Sequence, residues 1–215
     1  MADIQNSINI AVAFAKNWEK LASKSPNKTI YFENADSLDD STPIYPYRDT
    51  SKGYSIGYGS FTKNNDDGSN KLIGTTINKS KADEDILSEM TNKEAEIRNK
   101  ITADLDDYQY AAILDFVYNA GEGALNYNNK DLINAINNGG DVVSVLKNTA
   151  TTSDGNYSQG LKNRRIDEGL LWNGSLNSIY SKYLRNADFF NNIGISLLLT
   201  GAFVYFYIKY HKRVK

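Results

Sequence analysis

The chain has 215 residues, 40% of them apolar, so it is long enough to bury one sizeable core. It contains no cysteine, which excludes disulfides and thiolate chemistry, and its one histidine, His211, lies in a basic C-terminal tail. Imidazole catalysis and histidine-ligated zinc are therefore not expected, and neither a metal nor another cofactor is predicted. Any catalysis would use carboxylates, hydroxyls or amines.

The body of the chain is acidic. Residues 1–208 carry 20 basic and 26 acidic side chains, a net charge of −6, and the other four basic side chains follow residue 208. This balance argues against a nucleic-acid partner and against electrostatic capture of an anionic surface. An anionic substrate would have to be concentrated by tethering the protein close to it.

A first helix is predicted from residue 8 to about residue 22. Its apolar stripe consists of Ile8, Val12, Ala15 and Ala22. Glu19 falls on this stripe beside Trp18, where partial desolvation would raise the pKa of its carboxyl group, as a general acid requires. The alternative is that Glu19 lies at the surface.

Residues 25–43 are rich in turn formers, with one large apolar run at 30–32, and a hairpin is predicted at 46–59. The hairpin sets Asp49 and Ser55 six residues apart, and strand alternation points Ser55 away from Tyr54. Its glycines would let another body, such as a polymer, approach the backbone. An ordinary turn with a capping aspartate and an exposed serine is the alternative.

A second turn at 64–70 and a strand at 72–77 would complete a small antiparallel sheet. The acidic turn does not match an EF-hand, because Lys63 and Gly74 would occupy the first and last ligand positions if Gly68 were the invariant glycine. We therefore interpret it as a turn without calcium.

The second half of the chain is predicted to be helical. A charged helix at 81–100 precedes a central buried helix at 104–118, which stops at the two glycines within 119–123. Shorter helices are predicted at 132–136, 142–146, 164–172 and 176–184.

The C-terminus contains an uncharged run of 20 residues at 189–208, long enough to span a bilayer. Tyrosines near its end and basic residues in the tail 209–215 match the edge of a transmembrane helix. The alternative is a buried helix of a soluble protein. The N-terminus shows no basic region followed by a long apolar run, so no signal peptide is expected.

Four blocks of the sequence together resemble the phage-type lysozymes, glycoside hydrolase family 24. They are FAKNWEKL at 14–21, YRDTSKGYSIGYG at 47–59, the segment 104–123 ending in YNAGEG, and GLKNRRIDEGLLW at 160–172. The resemblance implies an α+β, lysozyme-like fold, with a small antiparallel sheet lobe and a helical lobe enclosing a cleft. One C-terminal transmembrane helix would follow. The expected domains are 1–188, with an insertion at about 22–44, then the helix 189–208 and the tail 209–215.

Carried over by position, the resemblance implies Glu19 as the general acid and Asp49 as the second carboxylate. Ser55 stands where the family usually has threonine and keeps the hydroxyl group. The remaining site residues implied are Phe61 and Tyr118 lining the sugar-binding cleft, Asn119 bonding the glycan, and Arg164 steadying Glu19. No metal is implied.

The sequence departs from the family pattern at three places. Lys20 replaces the glycine that usually follows the catalytic glutamate, and Ser60 stands where a histidine is common. In addition, 29 residues lie between Glu19 and Asp49, more than in the family. Glu33, within this insertion, is the alternative general acid.

The expected function is hydrolysis of peptidoglycan between N-acetylmuramic acid and N-acetylglucosamine, using one protonated and one ionised carboxyl group. The alternatives are a lytic transglycosylase and an inactive glycan-binding or structural membrane protein. The expected partners are glycan strands, a lipid bilayer at 189–208 and other virion proteins. The positive-inside rule keeps the tail cytoplasmic, so residues 1–188 would have to cross a cell membrane without a signal peptide to reach peptidoglycan. A phage virion membrane is therefore the expected location, with the bacterial inner membrane as the alternative.

Overall fold

Helices and short antiparallel strands make up the described part of the chain, which the computed structural model gives as residues 1–25, 28–32, 35, 38–50, 52–129, 132–153 and 155–174. The helices are α1 Ile4–Glu19, α2 Lys79–Ile97, α3 Asp107–Ala120, α4 Leu132–Asn137, α5 Val142–Asn148 and α6 Gln159–Trp172, with a 3-10 helix at Glu122–Asn129. The strands are β1 Leu21–Ser25, β2 Lys28–Phe32, β3 Tyr47–Thr50, β4 Gly53–Ile56, β5 Ser60–Lys63, β6 Thr152–Ser153 and β7 Asn156–Tyr157. The predicted α+β class is confirmed.

Helix α3 is the centre of the core. Residues 110–117 are all buried, and α3 packs against α1, α2 and α6. Its start is fixed by a capping box, in which Asp106 accepts hydrogen bonds from the backbone and Gln109 reaches back to the Asp106 amide. It ends at Gly121, whose φ of 80° favours glycine. The predicted central helix and its stop are therefore confirmed, with a start three residues later than expected.

Every sheet is small and antiparallel. Strands β3, β4 and β5 form a three-stranded sheet, while β1 pairs with β2 and β6 pairs with β7. In the larger sheet Tyr47 is opposite Ser55 and Ser55 is opposite Phe61. Because directly opposed residues share a face, these three side chains form one row across the sheet.

An ion-pair bridge joins α1 to α2 beside the turn between β4 and β5. Asp83 on α2 binds Lys16 Nζ at 2.7 Å and Lys79 Nζ at 2.6 Å. The Lys16 ammonium also lies 5.2 Å from the centre of the Tyr58 ring, within cation–π range. The end of α1, the β4–β5 turn and the start of α2 are thus held together.

Several sequence predictions about the strands and the first helix were wrong. Helix α1 ends at Glu19 instead of near residue 22, and residues 21–32 form the β1–β2 hairpin within the segment expected to be helix end and turns. The predicted strand at 72–77 is mostly turn, with only Ile77 bridging to Ile44. Strand β4 stops at Ile56 because Gly57 has a positive φ of 66°.

The later helices were predicted more accurately, although α6 begins at Gln159, earlier than expected. The predicted helix 176–184, the transmembrane segment 189–208, the tail 209–215 and the alternative acid Glu33 lie outside the described residues. Among the helices that are described, none is long and apolar enough to cross a membrane.

Candidate active site

Glu19 is the last residue of α1, and its side chain is 25% exposed. The carboxylate accepts a hydrogen bond from Arg164 Nη1 on α6. It also faces Gly59 in the β4–β5 turn, where an added Cβ would lie 3.4 Å from Glu19 Oε2. The glycine backbone of the turn therefore faces this carboxylate directly, without a side chain between them.

Arg164 is itself fixed from the other side by Asp115 of α3. Its Nε and Nη2 donate to the two Asp115 oxygens at 3.0 and 2.7 Å, in the paired geometry that guanidinium and carboxylate favour. Both side chains are buried. Burial alone would lower the pKa of Arg164, but Asp115 and Glu19 outweigh it and raise that pKa, so the guanidinium stays charged.

The hairpin of β3 and β4 joins Asp49 to Ser55. Ser55 Oγ donates a hydrogen bond of 2.8 Å to Asp49 Oδ2. Ser55 is fully buried, whereas Asp49 is exposed, so a buried hydroxyl group holds the exposed carboxylate in position. The alternative of an exposed serine in an ordinary turn is therefore wrong.

Tyr47 lies near both carboxylates, and sequence reasoning did not single it out. The pKa of Tyr47 is raised by burial first, then by Asp49, Tyr31 and Glu19, while Ser55 opposes the shift. The Tyr47 phenol thus lies within electrostatic reach of both Asp49 and Glu19. The available signal was strand alternation, because Tyr47 lies two residues before Asp49 and opposite Ser55.

The three residues expected to contact the glycan occupy different surroundings. Phe61 is 49% exposed, and its ring packs over Gly53 at the face that carries Ser55. Tyr118 donates from its hydroxyl to the Tyr58 carbonyl at 3.1 Å. Asn119 accepts from Arg165 Nη2 at 2.8 Å, so its side-chain oxygen faces α6.

The glycines of the hairpin are approached by the protein itself. A Cβ at Gly53 would lie 2.5 Å from the Phe61 ring, and one at Gly57 would lie 3.1 Å from the Ala82 methyl group. These two positions are filled by packing. Only Gly59 of this set faces the site, because its nearest side-chain atom is Glu19 Oε2.

A third carboxyl group near Glu19 was not singled out from the sequence. Glu89 of α2 is half-buried, and burial, with smaller effects from Asp85 and Glu19, raises its pKa. A hydrogen bond from Ser60 and the charge of Lys93 oppose the shift. Ser60, which replaces the common histidine of the family, is therefore a partner of Glu89.

Behind the site, α6 carries a second buried ion pair, which packs against α3. Arg165 Nη2 binds Glu168 Oε1 at 2.5 Å, and the guanidinium stacks 4.7 Å from the Phe116 ring centre. Burial raises the pKa of Glu168, and the neighbouring Asp115 adds to the shift against the opposing charge of Arg165. Across the described ranges, no group of three or more acidic or histidine side chains is arranged to hold a metal ion.

The chain matches the phage lysozyme family over residues 41–168, more than half of its length. The match begins after α1 and the β1–β2 hairpin. A search of curated proteins found no match.

Two solved structures share the fold. An endolysin from the Escherichia coli O157:H7 phage FAHEc1 is 20% identical, with a TM-score of 0.53 over 76% of this chain and 92% of the endolysin. The muramidase domain of SpmX from Asticaccaulis excentricus is 19% identical, with a TM-score of 0.51 over 75% of this chain and 93% of that domain. The predicted lysozyme-like fold is confirmed.

The chain belongs to the phage lysozyme family and is a glycoside hydrolase. Membership of this family implies a peptidoglycan substrate.

The buried Arg164–Asp115 pair yields a stability prediction. Replacing Arg164 with Met leaves the Asp115 carboxylate buried without its partner, and we expect a loss of about 3–5 kcal/mol in the free energy of unfolding. The R164M/D115L double variant should recover much of this loss. Urea unfolding at pH 7 measures both, with Lys81→Met, which breaks exposed ion pairs, as a control expected to cost under about 1 kcal/mol. A loss as small as that of the control would contradict the proposed importance of the pair.

Glu89 yields a pH prediction. Because the pKa of Glu89 is raised in the folded protein, the folded state favours the neutral carboxyl group. The stability that this gives is fully present below the pKa of Glu89 in the unfolded chain, and it is lost as pH rises through the pKa in the folded protein. Glu89→Gln keeps the neutral form at every pH. Its stability relative to wild type should therefore increase from pH 4 to pH 7 in urea unfolding. The opposite slope for Glu89→Gln would show that the folded protein favours the ionised form.

Proposed function

We propose that the protein is a membrane-anchored muramidase, which cleaves the β-1,4 bond between N-acetylmuramic acid and N-acetylglucosamine by hydrolysis. Its main support is that the Glu19 carboxylate lies against Gly59, in the turn of the same small sheet that holds Asp49 through Ser55. Glycoside hydrolysis requires two such carboxyl groups on either side of the scissile bond.

The two carboxyl groups have different surroundings, which supports different roles. Glu19 would donate a proton to the leaving oxygen, with Arg164 orienting its side chain. Asp49, hydrogen-bonded by Ser55, would stabilise the oxocarbenium-like transition state or activate water. Phe61, exposed at the same sheet face, would contact a sugar ring, and Tyr118 and Asn119 would line the other wall.

Substitutions at the carboxyl groups test these roles. We expect Glu19→Gln and Asp49→Asn each to reduce hydrolysis of purified peptidoglycan at least about 100-fold, because each keeps the volume but removes the proton donor or the charge. Ser55→Thr should be nearly silent, whereas Ser55→Ala should lose activity with its hydrogen bond to Asp49. Circular dichroism checks that each variant folds. If Glu33→Gln is inactive and Glu19→Gln is active, Glu33 is the acid.

The products in the same assay distinguish the related activities. Mass spectrometry of the released fragments should show reducing muramic acid ends. A majority of 1,6-anhydro ends would identify a lytic transglycosylase, and binding without products would identify a glycan-binding protein.

We further propose that residues 189–208 anchor the enzyme in a membrane, in a phage virion that uses it for cell-wall penetration. The run is uncharged and is followed by tyrosines and basic residues. In a virion membrane, the enzyme would reach peptidoglycan from outside the cell while its basic tail stays on the inner side of that membrane. An acidic body gains little from electrostatic attraction to the anionic wall, so an anchor would supply the local concentration.

Truncation after Asp188 tests the anchor. The truncated protein should remain in solution and keep its activity, because the family match ends at residue 168. The full-length protein should require detergent and sediment with membranes or virions. Full-length protein that is monomeric without detergent would contradict the anchor.

A further inference from the structure

The β1–β2 hairpin is a fixed part of the lobe that carries Asp49. Its first strand hydrogen-bonds the segments on both sides of the catalytic hairpin: Ala22 N donates to Gly57 O at 3.1 Å, and Lys24 N donates to Tyr45 O at 3.2 Å. Tyr45 N in turn donates to Ser23 Oγ at 2.9 Å. Because these groups are tied to the core, the second strand of the hairpin is held at a set position beside the site.

Tyr31 is a large aromatic residue that this hairpin exposes to solvent. Its neighbour Phe32 packs against the core, whereas the Tyr31 side chain is 56% exposed. Strand alternation accounts for the difference, since successive side chains point to opposite faces. A large aromatic ring left in water on a well-anchored strand is available to bind a ligand.

The position of Tyr31 connects it to the catalytic groups. Tyr31 is paired with Ala22, whose strand bonds Gly57 after β4 and Tyr45 two residues before Tyr47. Tyr31 also adds to the rise in the pKa of Tyr47, as do Asp49 and Glu19. Tyr47 begins the row that continues through Ser55 to Phe61 on β5. With strands spaced by about 4.8 Å, the β3 and β5 ends of this row are about 10 Å apart. Tyr31 lies near the β3 end, and the exposed Phe61 lies at the β5 end.

We propose that Tyr31 forms an additional sugar-binding subsite, where its ring stacks on a pyranose of the same glycan strand that the active site cleaves. The proposal rests on the proposed function, and it concerns a segment that precedes the family match at residue 41. The continuous arrangement from Tyr31 to Phe61 supports a glycan strand as the occupant. The electron-rich face of tyrosine attracts the C–H groups on the apolar side of a sugar ring.

The test measures binding and turnover separately with the full-length protein in mild detergent. Binding of the Glu19→Gln protein to insoluble peptidoglycan is measured by sedimentation, with and without Tyr31→Ala. We expect Tyr31→Ala to weaken this binding about 10-fold. In the active protein, the same change should raise KM for peptidoglycan to a similar extent and leave kcat within about 2-fold.

Ring-conserving variants and a matched tyrosine make the test specific. Tyr31→Phe and Tyr31→Trp should retain affinity, because stacking needs the ring. Tyr157→Ala removes a tyrosine that is 62% exposed on β7, and it should leave binding unchanged. Circular dichroism confirms that each variant folds.

The possible failures are distinguishable. If the wild type hydrolyses peptidoglycan and Tyr31→Ala has an unchanged KM and affinity, the subsite is refuted and the proposed function stands. Equal losses in Tyr31→Ala and Tyr31→Phe would refute ring stacking. If the wild type binds through Tyr31 but releases no products, the subsite stands and the proposed hydrolase activity is refuted.

Discussion

The arrangement of the site depends on the hydrogen bonds of the Arg164 guanidinium group. This group joins three helices, because Arg164 lies on α6, Asp115 on α3 and Glu19 at the end of α1. Two of its bonds go to the fully buried Asp115 carboxylate on the central helix, and the third reaches the partly exposed Glu19 carboxylate. A long side chain loses conformational freedom when it is fixed, and here Asp115 fixes it before it reaches Glu19. The core therefore sets the position of the Glu19 carboxylate.

The second carboxylate is held in a different way. Asp49 receives a neutral hydrogen bond from Ser55 within one small sheet, and it is exposed to water. Glu19 depends on a charged partner from the helices, so substitutions in α6 and in the sheet affect different carboxylates. Both carboxylates, after burial, raise the pKa of the Tyr47 phenol. A substrate bound between the sheet and the helices would place one bond between the Glu19 and Asp49 carboxyl groups, each of which is held by different partners.

The sequence was informative where a local pattern also decided the tertiary structure. The central helix was predicted because its apolar residues and terminal glycines agree with its burial and its stop at Gly121. The contact between Asp49 and Ser55 was indicated by the spacing of the two residues in one predicted hairpin. Strands β1 and β2 were missed because the turn-rich sequence showed no strand pattern, and β1 is also held by hydrogen bonds to Tyr45 and Gly57, more than 20 residues away. The role of Asp115 was missed because a buried carboxylate inside an apolar helix is explained only by its distant partner.

The end of α1 shows how a departure from the family pattern is accommodated. Lys20 replaces the usual glycine, yet its φ of 53° and ψ of 146° lie in a region that side chains other than glycine rarely adopt. Such a conformation costs about 1–3 kcal/mol and persists only when its surroundings impose it. Hydrogen bonds before and after Lys20 impose this conformation. The Lys20 amide completes the helix by donating to Lys16 O at 3.1 Å, and two residues later Ala22 N is bonded to Gly57 O. The chain must therefore turn sharply after Glu19 to leave the helix and enter β1, so the backbone conformation is kept without the glycine that would relieve its strain.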